Sequence, residues 1–141
     1  MREHWVWSVD PANWKTVTEK NVWATASKTT TEKVRKGDAI MFYLVGRGIF
    51  CGACEVASDW YESQKLLWPD EIAEQKKKYK NECRVKMVRK GEASFSELIP
   101  KLSFVTNRTY AGAYLRGTRG GPANFSKPIP LDDYTTIMSA L

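Results

Sequence analysis

The 141-residue chain is one domain by length, and 43% hydrophobic with 27% charged residues is ordinary for a globular protein that buries its own core. Its longest apolar run, residues 39–45, is far too short to span a membrane, and three cysteines argue for a reducing compartment over a disulfide framework. A formal charge of +6 favours a polyanionic partner while saying nothing about fold.

Residues 4–9 alternate, with Trp5 and Trp7 on one face and Val6 on the other, as in a half-buried strand. They are preceded by no signal-peptide core, so a cytoplasmic protein is expected. Asp10-Pro11 then starts a short helix, a capping carboxylate followed by proline at the first helical position, and Trp14 and Val17 share one face of it. Residues 22–24 form an extended piece, and residues 31–36 a helical turn. Residues 38–45 are apolar on both faces and predict a central strand. Gly46-Arg47-Gly48 predicts a hairpin turn, and residues 49–58 return antiparallel. Gly52 inside that strand points to a bulge or to close approach by another group.

Residues 59–67 are irregular, and Trp68-Pro69-Asp70-Glu71 opens a helix running to about residue 78. Residues 82–89 alternate again, with Cys83, Val85 and Met87 facing one way and basic residues the other. Residues 94–102 predict a short helix or turn, and residues 103–106 a brief strand. Arg108, Arg116 and Arg119 lie among glycines and aromatics in a long loop, residues 107–126. Residues 131–141 close the chain as a helix with Asp132 and Asp133 in its first turn. Five or so short strands, mostly antiparallel, with small helices between them predict a mixed α/β, strand-rich, barrel-like core.

Few residues can carry chemistry. Cys51-Gly-Ala-Cys54 has a redox or metal spacing, but inside a strand residues three apart face opposite ways, and only Cys83 and His4 remain as further ligands. No cofactor and no metal is called for. With His4 the single histidine, a nucleophile–base pair is weakly supported. Glu55 interrupts an apolar strand on the face of Ile49, Cys51 and Ala53, and a buried carboxylate there needs a partner, either a basic side chain or a ligand N–H.

Six Trp, six Tyr and five Phe exceed what a small core usually needs. Trp23, Trp60, Tyr61 and Trp68 fall in loops or at element ends, where they either plug the barrel or form a pocket that stacks a flat base. The basic residues Lys76 to Lys80, Arg84 and the three loop arginines would then contact phosphates, or else form a solvated face. The residue types alone leave both readings open.

The order Trp5-Val-Trp-Ser-Val, Asn13-Trp14, Asn21-Val-Trp-Ala-Thr, Lys36-Gly-Asp, Gly52-Ala-Cys-Glu-Val and Trp60-Tyr61 resembles an EVE domain. That family is PUA-like and similar to the YTH domains that read methylated adenine in RNA, and the likeness runs to the closing Leu131-Asp-Asp-Tyr134 segment. It implies a PUA-like pseudo-barrel of five to six strands with small flanking helices, spanning residues 1–141.

The resemblance also implies a reader of a modified base in DNA or RNA in place of an enzyme. Trp23 matches one wall of the YTH methyl-base cage, and Asn13 a base-contacting asparagine. Trp68 is nearer in order to the second wall, while Trp60 or Tyr61 fits the EVE pattern. Ser8 and Thr25 are polar neighbours, Glu55 a further contact to the base edge, and Lys78, Arg84, Arg108, Arg116 and Arg119 the backbone contacts. Val9 stands where YTH domains carry another polar contact, which departs from adenine recognition. In this reading Trp23→Ala leaves the fold largely intact and abolishes binding. The rivals are a small hydrolase of nucleosides or amides, using Glu55 beside a lysine, and a protein-interaction module built on the aromatic loops.

Overall fold

The computed structural model describes residues 2–105 and 128–141. Strand β1 (His4–Val9) leads to α1 (Pro11–Lys20), β2 (Val22–Thr25) and α2 (Lys28–Lys33). The central hairpin β3 (Ala39–Leu44) and β4 (Ile49–Val56) follows, then β5 (Tyr61–Glu62) and α3 (Pro69–Glu74). The long β6 (Asn81–Ser94), α4 (Phe95–Leu98) with a 3-10 turn at Ile99–Lys101, and α5 (Leu131–Ala140) complete the order. The sheet runs β1-β3-β4-β6-β2, with β5 beside β6. The result is a strand-rich mixed α/β fold around a curled half-barrel.

The curl comes from β6. Its first residues pair with β2 and β5, and the rest pairs with β4, so one 14-residue strand belongs to both halves of the sheet. All pairs are antiparallel except β1 with β3, which run parallel from His4 opposite Ala39 to Val9 opposite Leu44. The antiparallel bias was expected, but periodicity gave no sign of the parallel pair. A parallel pair needs a long crossover; here α1, β2 and α2 supply it.

Strand β1 is not half-buried. Trp5, Trp7 and Val9 enter one core cluster with Trp23, Phe42 and Trp68, while Val6 enters a second with Phe50, Phe95 and Ile137. The sheet thus has a core on each face. The Asp38 carboxylate secures the start of β1 and β3 by accepting from Glu3 N (3.1 Å), the Trp5 indole N–H (3.0 Å) and Arg35 N (2.9 Å).

Other expectations shift in detail. Helix α2 begins earlier, at Lys28, because the Ser27 hydroxyl accepts from Thr30 N. Helix α3 stops at Glu74, where Gln75 turns left-handed (φ 53°), so the basic residues 76–78 lie past it. Residues 103–105 form a turn in place of a strand: the Ser103 and Phe104 N–H groups both donate to the Asp133 carboxylate of α5.

Gly52 does mark an irregularity. The register of β4 slips on both sides of it, and a Cβ there would lie 2.9 Å from both the Arg89 carbonyl oxygen and the Trp14 ring. The slip has a chemical consequence. Cys51 and Cys54, expected on opposite faces, both fall in the Trp23 cluster together with Cys83. Cys51 Sγ donates to Phe42 O, Cys54 lies 3.8 Å from the Met87 sulfur, and burial pushes all three thiols up to about 12. Among the described residues no group of three acidic, histidine or cysteine side chains could hold a metal ion, and no helix is long and apolar enough to cross a membrane.

Candidate functional site

The Asp10 side chain caps α1 by accepting from Asn13 N at 2.8 Å, with Pro11 in the first turn. This fixes Asn13 on the inner side of the helix start, where it is buried. The helix ends at Asn21, which is left-handed (φ 55°) and donates to Val17 O, while its own carbonyl accepts from Val85 N. That reversal lays β2 along β6 with Trp23 opposite Cys83.

Trp23 is therefore an interior ring, 2% exposed. It packs edge-to-face against Trp7 (centroids 4.8 Å), Phe42 (5.0 Å) and Trp68 (5.7 Å), and Trp68 continues to Tyr79 (6.4 Å). Edge-to-face pairs place the positive ring edge on a neighbour's negative face, adding about 0.5–1.5 kcal/mol each beyond burial. The indole N–H groups of Trp7, Trp23 and Trp68 find no acceptor among the described residues.

Asn13, Trp23, Ala24, Trp68 and Tyr79 line one cavity of about 10 Å³. That volume is on the scale of a single water molecule. It is far too small for a nucleobase, so in this conformation Trp23 is core. The expectation that Trp23→Ala spares the fold is corrected accordingly.

The other expected residues separate. Trp68 stands against Trp23, as the order of the chain suggested. Trp60 packs instead on Trp7 (6.5 Å) and its indole donates to Val34 O at 2.8 Å, while Tyr61 on β5 is 38% exposed. The Thr25 hydroxyl is occupied, accepting from Ser27 N. Ser8 is buried, and strand alternation puts it on the Val6 face, opposite Trp7.

Glu55 lies with the second core, away from the cavity. Its cross-strand neighbours are Ala39 and Lys86, and its charge, after burial itself, helps raise the Tyr134 phenol pKa on α5. Lys86 is only the register partner of Glu55, exposed on β6, and neither residue lines the cavity of Asn13 and Trp23. Arg84 is exposed on β6. Lys78 is tied to Asp70 and Glu74. Arg108, Arg116 and Arg119 lie outside the described residues.

Sequence reasoning missed Glu71 and Tyr79, and it grouped Lys77 with the phosphate contacts, whereas its ammonium is turned inward between two carboxylates. Glu71 is fully buried, and its carboxylate accepts from Leu67 N (3.1 Å), Trp68 N (3.2 Å), Lys78 N (2.9 Å) and Tyr79 N (2.9 Å). The Lys77 ammonium, itself nearly buried, joins Glu71 (3.3 Å) to Glu82 (3.1 Å). Burial pushes the Glu71 carboxyl up, but the backbone donors of Tyr79, Lys78, Leu67 and Trp68 more than offset this and hold its pKa below the ordinary value. The available signal was a glutamate three residues after the cap residue Trp68, the position that bonds back to the cap N–H.

The architecture matches solved YTH domains. Against the YTH domain of the Zygosaccharomyces rouxii MRB1 protein, solved in complex with N6-methyladenosine RNA, the TM-score is 0.63 at 15% identity, covering 98% of this chain and 85% of that one. Against the Toxoplasma CPSF4 YTH domain, in complex with a 7-mer m6A-modified RNA, it is 0.65 at 19% identity, covering 99% and 91%. At such identities the likeness establishes a shared fold. Among curated proteins, the chain is 29% identical to a UPF0310 protein of Pyrococcus abyssi over 98% of this chain and 99% of that one. It is 26% identical to a UPF0310 protein of Saccharolobus solfataricus over 98% and 94%. The model of the EVE domain matches residues 3–140, nearly the whole length, and the chain belongs to the EVE domain family.

Proposed function

We propose that this domain is a nucleic-acid reader that takes a modified base between Trp23 and Trp68, with Asn13 hydrogen-bonding the base edge. One observation carries the reading: Asn13, Trp23 and Trp68, separated in sequence, converge on a single cavity. They do so in a fold whose solved relatives include YTH domains in complex with N6-methyladenosine RNA. RNA is accordingly the first substrate to test, and methylated bases the first modifications.

The cavity must widen to accept a base, which requires the Trp68 side to move away from Trp23. Stacking on an aromatic ring is worth about 1–3 kcal/mol per base, and extrusion costs least where the base is already single-stranded. Single strands are therefore the favoured form. Arg84 supplies a phosphate contact on the open side of β6.

The test is a panel of single-stranded oligonucleotides carrying methylated adenine, methylated or hydroxymethylated cytosine, or no modification, titrated by fluorescence anisotropy at several salt concentrations. The wild type should prefer at least one modified strand. Asn13→Ala keeps a good helix former and should weaken that preference about 3–10-fold, the worth of one hydrogen bond. Arg84→Ala should weaken all strands alike and reduce the salt slope by about one. Equal binding to every strand, or none, refutes the reading.

A further inference from the structure

We propose that Glu71 is the positioning residue of the aromatic cavity and that, through the main chain of Trp68 and Tyr79, it sets how well the cavity distinguishes a modified base from an unmodified one. This rests on the functional reading above and assigns a determinant of its specificity to a residue that touches no base.

The geometry gives Glu71 this role. Two of the five cavity-lining residues, Trp68 and Tyr79, donate their backbone N–H groups to the two oxygens of one carboxylate, at 3.2 Å to Oε1 and 2.9 Å to Oε2. Helix α3 lies between them in sequence, so a single side chain ties the chain entering α3 to the chain leaving it. Leu67 N on the entering side and Lys78 N on the leaving side double each link. The Tyr79 hydroxyl donates to Asp70 at 2.7 Å, which fixes its ring as well as its backbone.

The opposite wall is tied to the same centre. Lys77 bridges Glu71 to Glu82, and Glu82 is the register partner of Ala24, the residue after Trp23. The separation of the Trp68 wall from the β2 wall is thereby referred to one buried carboxylate–ammonium–carboxylate chain. A charged acceptor in a dry site holds its donors in narrow geometry, because the charge has no water to turn to instead. The cavity therefore opens by moving the whole Leu67–Tyr79 unit about this centre, and not by slackening single residues within it.

Glu71→Gln keeps the shape but turns one acceptor into an amide donor facing backbone N–H groups, and it removes one of the two carboxylate charges that flank the Lys77 ammonium. Glu71→Asp keeps the charge on a shorter stem that cannot reach both sides, and serves if the first variant does not fold. Glu92→Gln, at an exposed glutamate of β6 whose ion-pair partner is Arg47, makes the same chemical change outside the cavity and is the control. Two readouts are taken on the folded proteins: affinity for modified and unmodified oligonucleotides, and the six indole N–H resonances in a 1H–15N spectrum.

The Glu71 variants should shift the Trp68 and Trp23 indole resonances while leaving Trp5, bonded to Asp38, in place. The modified-to-unmodified affinity ratio should fall about tenfold or more, the equivalent of one lost charged hydrogen bond, with Glu92→Gln close to wild type. Destabilised variants with an unchanged ratio overturn the proposal, since Glu71 would then be structural only. If the wild type itself shows no preference, the functional reading fails. The indole spectrum then decides for Glu71 alone: unmoved Trp23 and Trp68 resonances overturn its positioning role, and moved ones uphold it.

Discussion

Replacing Trp23 with alanine measures how far the aromatic cluster holds the two halves of the sheet together. The ring is 2% exposed and lies within 6 Å, centroid to centroid, of Trp7, Phe42 and Trp68. These three neighbours come from β1, β3 and the entry to α3, each held in place by its own strand or helix, so they cannot collapse into the gap. Truncating a buried tryptophan under such conditions costs about 3–5 kcal/mol, against a total stability of roughly 5–15 kcal/mol for a domain. With a urea slope of about 2 kcal/mol/M, the midpoint should fall by about 2 M, followed by far-UV circular dichroism so that the lost chromophore does not confuse the signal. Trp23→Phe should cost less, because it keeps a ring and removes an indole N–H with no acceptor among the described residues. A midpoint loss for Trp23→Ala of less than about 0.5 M, or roughly 1 kcal/mol, would refute the account of Trp23 as core in the closed state.

Asp38→Asn should lower stability by about 1–3 kcal/mol in the same denaturation assay, since the amide keeps one acceptor oxygen where the Asp38 carboxylate uses two to receive three donors. For Glu71 the pH dependence has a definite sign. Its folded pKa lies below the unfolded value of about 4.3, so its contribution is complete above that pH and is lost as pH falls through the folded value. The stability gap between wild type and Glu71→Gln, measured from pH 7 down to pH 3, should therefore shrink only at the acid end. The three cysteines, buried and pushed up to about 12, should ignore a thiol reagent in the native protein and all react in denaturant. A fast-reacting thiol in the folded state would contradict their burial.

Much of this fold was legible because particular residues announce themselves. Asp10-Pro11 starts α1 by local chemistry alone, and the two-faced apolar run of β3 allows only an interior strand. Strand β5 was not legible: its two residues, Tyr61 and Glu62, are strand only because they lie against Glu82 and Asn81 of β6. Nor was the common face of Cys51 and Cys54, which depends on a register slip where the Trp14 ring presses on Gly52. At the site, the resemblance named Asn13, Trp23 and Trp68, and these three line one cavity. It could not tell that the rings close on one another, because ring packing is decided by all the surrounding elements at once. Glu71 escaped because an acidic residue in a helix's first turn ordinarily faces solvent and complements the dipole.

The pairing pattern of the sheet also dictates how this chain comes to be folded. His4 must wait for Ala39, roughly 35 residues later, and Val22 must wait for Arg84, roughly 60 residues later. At a synthesis rate of about 5–20 residues per second, β1 with its two tryptophans spends about 2–7 s, and β2 about 3–12 s, with no strand beside it. Strand β6 ends the wait for β2, β4 and β5 together, so the domain assembles late and all at once, with the slow kinetics of non-local topologies. A chain cut short before residue 81 would present the open edges of β2 and β4 to its neighbours. Its fate should be aggregation, and no half-domain should accumulate.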